Sequence, residues 1–117
     1  MKIVKCGFKP NCVCSLNTGL HQVEPFPVLE TPQQSIARLR EILSALEGCE
    51  ITQESPTYIA ATYRTAKLRF IDDLEFELGS DNDEEVIHVK SASRVGFSDL
   101  GANRRRIALL RQQYHDR

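Results

Sequence analysis

The run from Ser91 to Arg106 restricts the fold more than any other part of this sequence, because it joins a strand to a helix through two glycines. Alternate residues of a strand share one face. At the end of this strand, the residues on one face are Ile87, Val89, Ser91, Ser93 and Val95. Two serines therefore place hydroxyl groups on an otherwise apolar face, whereas Arg94 points to the opposite one.

Downstream of the glycines, the sequence predicts an amphipathic helix. The residues spaced along one helical stripe are Leu100, Asn103, Ile107, Leu110 and Tyr114. Gly96 and Gly101 supply backbone freedom, and Ser98 or Asp99 can cap the first helical turn. We therefore expect a strand-to-helix corner, with the last helix packed on the sheet.

An earlier helix is predicted at Thr31, because threonine caps helices and the proline that follows is favoured at the first helical position. The helix should extend to about Glu47 and end at Gly48. Its buried stripe would consist of Ile36, Leu39, Leu43 and Leu46. A helix of this kind covers a sheet.

Two more strands are predicted, from Thr57 to Thr65 and from Leu68 to Leu78. The acidic turn from Gly79 to Glu85 makes the second of these an antiparallel neighbour of the strand that leads to Ser91. We predict one domain over residues 1–117, in which residues 1–30 form an irregular arm with a short strand or two. Residues 31–117 would form a helix, a three-strand meander and a C-terminal helix. The fold class is α+β, with an antiparallel sheet of three to five strands and two helices packed on one face.

Asp72 falls on the apolar face of its strand, although a bulge near it would exchange its position with that of Ile71. Three registers of this hairpin, related by shifts of two residues, keep the apolar faces of both strands on one side. In the central register Asp72 faces Ser93, and in the next lower one it faces Ser91. The last helix adds Asn103 to this polar cluster. The candidate ligand-binding residues, including two neighbouring cations, are Asp72, Ser91, Ser93, Arg94, Asn103 and Arg104.

Two interpretations of this cluster stay open. In the first, Asp72 forms a buried ion pair that locks the last helix onto the sheet, and Arg104 is a better partner than Arg94, which alternates to the other sheet face. In the second, the carboxylate lines the cavity of a non-enzymatic module that binds a small molecule or a protein.

Two further functions are weaker. A hydrolase would use Asp72 with an arginine, but Asp73 and His88 lie on the opposite strand face, which weighs against an acid–base pair. An anion-binding corner would use the turn from Gly96 to Gly101 with the arginines after it. That corner lacks the Lys-Ser/Thr pair of a phosphate-binding loop.

The charge balance and the lengths of the apolar stretches argue against two other classes, nucleic-acid-binding and membrane-spanning proteins. The net charge is −1, with 15 basic and 16 acidic residues, which argues against a nucleic-acid-binding surface. No stretch approaches the roughly 20 apolar residues of a membrane span, and the first residues lack the apolar run of a signal peptide. We expect a cytoplasmic protein without nucleic-acid partners, and the oligomeric state stays open.

The four cysteines are expected to be free thiols, as is usual in a reducing cytoplasm. Cys6 and Cys12 bracket a turn and would be joined in an oxidising environment. A zinc site is disfavoured because Cys12 and Cys14 are closer than the usual ligand pairs, even with His21 as a further ligand. We therefore expect neither a metal nor another cofactor.

The run SASRVGFSDLGANRRRI resembles the signature of the domain of unknown function 1499 (DUF1499) family. RFIDDLEFEL, from Arg69 to Leu78, is similar to the Asp-Asp strand of that family, and PNCVCS, from Pro10 to Ser15, is similar to its Pro-Asn-Cys motif. The resemblance spans nearly the whole chain. One departure is Cys14, where family members usually have serine. The resemblance implies membership of the family and no particular activity.

Overall fold

The computed structural model describes residues 1–66 and 69–116. The strands, in chain order, are β1 (Cys12–Cys14), β2 (Phe26–Pro27), β3 (Cys49–Ser55), β4 (Tyr58–Arg64), β5 (Ile71–Asp81) and β6 (Glu84–Ser93). The α-helices are α1 (Pro32–Ala45) and α2 (Ala102–Asp116), and a short 3-10 helix spans Gly19–His21. The predicted α+β fold, with two helices and an antiparallel sheet, is confirmed.

The sheet has the order β1-β6-β5-β4-β3, and β2 pairs with another part of β6. All these pairings are antiparallel. The structure therefore has six strands where three to five were expected. The segment 1–30, expected to be an irregular arm with a short strand or two, supplies both β1 and β2. The backbone groups along one edge of β6 thus find partners in the N-terminal segment.

The β5–β6 hairpin has the central of the predicted registers, with Asp72 opposite Ser93 and Glu75 opposite Lys90. No bulge interrupts this pairing near Asp72, so its side chain stays on the face that the alternation predicts. The predicted strand start at Leu68 lies outside the described residues.

One face of the sheet and both helices share the main core, and Phe26 of β2 lies at its centre. The Phe26 ring is 5.2 Å from that of Tyr114 and 5.6 Å from that of Phe76, measured between centroids. The Tyr114 hydroxyl donates a 2.6 Å hydrogen bond to the carbonyl of Pro27. The N-terminal segment, the sheet and α2 therefore meet at these aromatic side chains.

The start of α1 has the cap that the sequence predicts. Thr31 Oγ1 accepts a 3.1 Å hydrogen bond from the N–H of Gln34, whose side chain in turn accepts one from the N–H of Thr31. The helix ends at Ala45, shortly before the expected Glu47. Gly48 has a φ of 85°, and a Cβ there would lie 2.8 Å from the carbonyl oxygen of Arg64, so this position requires glycine.

Helix α2 buries four of its five predicted stripe residues, which are Asn103, Ile107, Leu110 and Tyr114. The fifth assignment is wrong, because Leu100 precedes the helix at a φ of 55° and is 85% exposed. Val95 was assigned to the apolar face at the end of the same strand as Ser93, but β6 ends at Ser93 and Val95 is exposed in the loop that follows. Within the described part of the chain, no helix combines the length and apolar character needed to cross a membrane.

The other face of the sheet is partly covered by the first residues of the chain. The Glu77 carboxylate accepts hydrogen bonds from the N–H groups of Lys2, at 2.8 Å, and Ile3, at 3.0 Å. Ile3 then packs in a second, smaller apolar cluster with Cys14 and Tyr58. A buried acid thus fixes the start of the chain against β5.

Leu110→Ala is expected to lower the free energy of unfolding by about 2–5 kcal/mol, because it leaves a cavity in the core. The matched control is Leu109→Ala on the solvent side of α2, where the leucine is 53% exposed and the expected change is within about 0.5 kcal/mol. Urea unfolding measures both values. Equal effects of the two substitutions would contradict the packing of α2 described above.

Candidate functional site

Asn103 is the centre of a buried polar cluster between α2 and the sheet. Its amide nitrogen donates to Ser93 Oγ at 2.9 Å and to the carbonyl of Asn11 at 3.1 Å. Its amide oxygen accepts a hydrogen bond from the Ser91 hydroxyl. The sequence placed Asn103, Ser91 and Ser93 together, and the structure does bring them into contact.

The Asp72 carboxylate forms a buried ion pair with Arg106, whose Nη1 lies 2.7 Å from Asp72 Oδ2. The same nitrogen donates to the Asn103 side-chain oxygen at 3.0 Å. The guanidinium carbon lies 4.3 Å from the ring centroid of Tyr63, where a cation–π interaction adds to the ion pair. Asp72, Arg106 and Asn103 thus form one connected network.

The expected cations, Arg94 and Arg104, are not partners of Asp72. Arg94 forms an exposed, two-pronged pair with Asp73 on the opposite sheet face, with distances of 2.9 and 3.0 Å. Arg104 instead donates to the carbonyls of Gln22, at 2.8 Å, and Leu20, at 2.6 Å. Successive helical residues point about 100° apart, so Arg106 shares the face of Asn103 and Arg104 does not.

Asp99 occupies the N-terminus of α2. Its carboxylate accepts hydrogen bonds from the N–H groups of Gly101, at 2.8 Å, and Asn103, at 3.0 Å. Partial burial alone would raise the pKa of Asp99, but these hydrogen bonds and that of the Asn103 amide lower it below its ordinary value. The capping role predicted for Ser98 or Asp99 belongs to Asp99. Because an acid already fills this helix terminus, the anion-binding corner is disfavoured.

A cavity of about 460 Å³ lies beside the network, between the end of β6 and the start of α2. Its lining consists of Thr65, Phe70, Asp72, Ser93, Val95, Gly96, Ser98, Asp99, Leu100 and Ala102. Apolar side chains and backbone make up most of this surface, and the polar groups are hydroxyls and two carboxylates. The cavity therefore brings two predicted site residues, Asp72 and Ser93, next to apolar residues that the sequence did not indicate as part of a site.

The residues of the weaker hydrolase hypothesis are spread over both faces of the sheet. Asp73 points away from Asp72, towards Arg94. His88 is 3% exposed, and its two ring nitrogens lie 2.9 Å from Ser15 Oγ and from the carbonyl of Ser80. Neither residue lines the cavity beside Asp72. The described residues contain no group of three or more His, Cys, Asp or Glu side chains arranged to hold a metal ion.

The cysteines do not all have the predicted state. Cys6 and Cys12 form a disulfide with a Cα–Cα distance of 5.8 Å, so the expectation of free thiols is wrong for this pair. Cys14 and Cys49 are free. Burial raises the pKa of both thiols. The chain turns back between Cys6 and Cys12, and this turn brings the two residues within disulfide reach. Their spacing in the sequence does not by itself establish the bond.

Sequence reasoning missed two members of the site. Arg106 follows Asn103 by three positions, a spacing that places both on one helical face, and this signal could have identified it. Asn11 joins the cluster through its backbone carbonyl, and its side chain donates to the carbonyl of Gly96 at 2.8 Å. The sequence indicated Asn11 only as part of the Pro-Asn-Cys motif.

A family model described as "Protein of unknown function (DUF1499)" matches residues 2–114. This range includes the whole polar cluster and the cavity beside it. No curated protein compared with the chain matches it.

Removing one partner of the buried pair should leave the other charge uncompensated. Arg106→Met is therefore expected to cost about 3–5 kcal/mol of unfolding free energy. Asp72→Asn should also destabilise, and the double variant should be less than additively worse, because both charges are then removed together. Thermal and urea unfolding of the four proteins gives the coupling energy.

The exposed pair Asp73–Arg94 is the matched control for that cycle. Asp73→Asn and Arg94→Met should leave the thermal midpoint close to that of the parent protein, since solvent screens this pair. An additive Asp72/Arg106 double variant would contradict the network described above.

Alkylation tests the cysteine assignments. In denaturant without reductant, iodoacetamide should label Cys14 and Cys49, and only added reductant should expose Cys6 and Cys12. In the native protein at mildly alkaline pH, Cys14 should react far more slowly than a free thiol, because burial and a raised pKa keep its thiolate population low. Peptide mass spectrometry locates each label. Rapid native labelling of Cys14 would be inconsistent with its burial.

Proposed function

The chain belongs to the DUF1499 family, which is described only as one of unknown function, and we propose that it is a non-enzymatic module that binds a small, largely apolar ligand. The observation that carries this proposal is the cavity of about 460 Å³ beside Asp72. Ligand sites typically enclose about 300–1,000 Å³, with apolar walls and a few convergent polar groups. The walls formed by Phe70, Val95 and Leu100 fit that description.

The polar lining suggests the chemistry of the ligand. Asp72 and Asp99 are carboxylates with some of their lone pairs already engaged by Arg106 and by the backbone of α2. Remaining lone pairs can accept a hydrogen bond from a ligand hydroxyl or ammonium group. No basic side chain among the described residues lines the cavity. A ligand with a neutral or cationic polar end is therefore favoured over a carboxylic acid.

Binding is a better proposal than the alternative, a hydrolase that uses Asp72 with an arginine. General acid–base catalysis needs a carboxyl group that is free to exchange a proton with the substrate. The carboxylate of Asp72 is instead held 2.7 Å from a guanidinium nitrogen of Arg106. That arrangement supports a rigid wall for the cavity.

The compartment also stays a proposal. The sequence predicted a cytoplasmic protein, and thiols are kept reduced in the cytoplasm. The Cys6–Cys12 disulfide argues for a different location. We infer that the module works in an oxidising compartment, in which this bond persists.

Displacement of Nile red, a neutral apolar dye, tests the proposed ligand class. At concentrations below the solubility limit of decanol and the micelle concentrations of the ionic compounds, decanol and decylamine should displace the dye from the protein about tenfold more effectively than decanoate, because two carboxylates line the cavity. Fluorescence titration measures each displacement. Equal displacement by decanoate would contradict this assignment of the ligand class.

A pair of variants tests the location. Val95→Ser combined with Leu100→Ser removes apolar surface from the cavity wall and should weaken dye binding on the order of tenfold. Leu20→Ser is the control, because Leu20 is 94% exposed but does not line this cavity. Unchanged dye binding by the double variant would remove the cavity from consideration as the site.

A further inference from the structure

Large exposed apolar side chains gather at one end of the molecule. A second cavity, of about 450 Å³, lies on the other side of the loop 95–101. Six large, exposed apolar side chains line the two cavities, and they are Phe8, Leu20, Phe70, Val95, Phe97 and Leu100. We call this set the apolar tip. Exposed apolar patches of this kind usually mark a surface that contacts something other than water.

Several features hold these side chains outwards. The Cys6–Cys12 disulfide closes the loop that carries Phe8, and the rings of Phe8 and Phe97 are 6.5 Å apart. Leu100 has a φ of 55°, a conformation that is rare for a bulky residue. The protein thus presents these groups on a constrained frame instead of folding them inwards.

The charge around the apolar tip is strongly positive. The segments that form it are 5–10, 19–21, 69–73 and 94–106, and together they contain seven lysine and arginine residues and three aspartates. Each of the three carboxylates already has a partner, since Asp72 binds Arg106, Asp73 binds Arg94 and Asp99 caps α2. Most of the basic charge is therefore left to act on the surroundings.

The opposite end of the β5–β6 hairpin has the opposite charge. Its turn, residues 79–85, contains four acidic residues and no basic one. Strands β5 and β6 run between this turn and the apolar tip, so the chain of nearly zero net charge is polarised along the hairpin. A field of this form orients the molecule with the tip towards a negative surface.

Two arginines also lie beside exposed leucines of the tip. Arg104 Nη2 donates to the carbonyl of Leu20 at 2.6 Å, and Arg105 Nη1 donates to that of Leu100 at 2.9 Å. Each pair places an apolar side chain next to a fixed cation. The same combination anchors peripheral proteins at membranes, where apolar groups enter the acyl boundary and cations meet anionic headgroups.

We propose that the apolar tip docks on the surface of an anionic lipid bilayer. Phe8, Phe97 and Leu100 enter the interface, while Lys9, Arg104 and Arg105 remain at the level of the headgroups. A fluid bilayer accommodates individually projecting side chains without a complementary shape, which a protein partner would have to provide. This proposal does not depend on the small ligand proposed above.

Vesicle sedimentation of the full chain tests the docking. Binding to phosphatidylcholine vesicles that contain phosphatidylglycerol should exceed binding to pure phosphatidylcholine, and it should fall as salt screens the charges. The variant Phe8→Ser/Leu20→Ser/Phe97→Ser should reduce the partition coefficient by more than about tenfold. None of these three residues lines the cavity beside Asp72, so dye binding separates a failure of docking from a failure of the ligand proposal.

Control variants separate the loss of apolar side chains and of basic charge at the apolar tip from the same changes elsewhere on the surface. Val4→Ser and Leu109→Ser remove exposed apolar side chains outside the tip and should leave vesicle binding unchanged. Lys9→Glu should weaken binding, whereas Lys2→Glu, in a residue held near Glu77, should weaken it far less. Equal binding to neutral vesicles, or full binding by the triple variant, would overturn the proposal.

A spectroscopic reporter covers the case in which the triple variant fails to fold. The chain has no tryptophan, so Phe97→Trp introduces a single probe at the tip and Leu109→Trp a single probe away from it. Anionic vesicles should shift the emission of the first to shorter wavelength and leave that of the second unchanged. Identical spectra of Phe97→Trp with and without vesicles would sink the proposal.

Discussion

A carboxylate on the apolar face of a sheet must have its charge balanced there, and Asp72 meets this condition through Arg106, at 2.7 Å. Because Arg106 belongs to α2, the ion pair determines how that helix is rotated on the sheet. Asn103, one helical turn earlier, connects the same face of α2 to Ser91, Ser93 and the N-terminal segment. The arrangement of helix, hairpin and N-terminus therefore depends on one buried network, which favours a unique geometry more than it adds net stability.

The same network positions the surfaces proposed to be functional. Asp72 and Ser93 lie at the wall of the cavity, and Asp99 fixes the loop that separates this cavity from its neighbour. Beyond that loop the chain exposes apolar side chains instead of burying them. A rigid polar base thus supports an apolar, cation-rich end, and both proposals concern that end. One uses the cavity beside Asp72 and the other the exposed side chains around it, and Leu100 belongs to both.

The N-terminal segment contributes more to the fold than its composition suggests. It supplies two strands to the edge of β6, a buried phenylalanine to the core and one wall of the second cavity. The Cys6–Cys12 disulfide lies within this segment and joins Cys6 to the first residue of β1. The redox state of the surroundings is therefore linked to the shape of the exposed end, and much less to the core between the helices and the sheet.

Local periodicity in the sequence determined the main elements and part of the site. Alternation placed Asp72 on the core face and left Ser93 and Ser91 as its possible neighbours, of which the structure shows Ser93. Helical spacing placed Asn103 on the buried face of α2. Both patterns depend only on neighbouring residues. Family membership was likewise readable from the motifs, and the match to residues 2–114 confirms it.

Only the tertiary structure decided which groups meet across long separations. The choice of Arg106 over Arg104 depends on the rotation of α2 about its axis, and the exposure of Leu100 depends on the path of the loop before it. The two N-terminal strands and the Cys6–Cys12 disulfide depend on how that segment crosses β6 and reverses. Such contacts are set by the packing of whole elements, which no local pattern encodes.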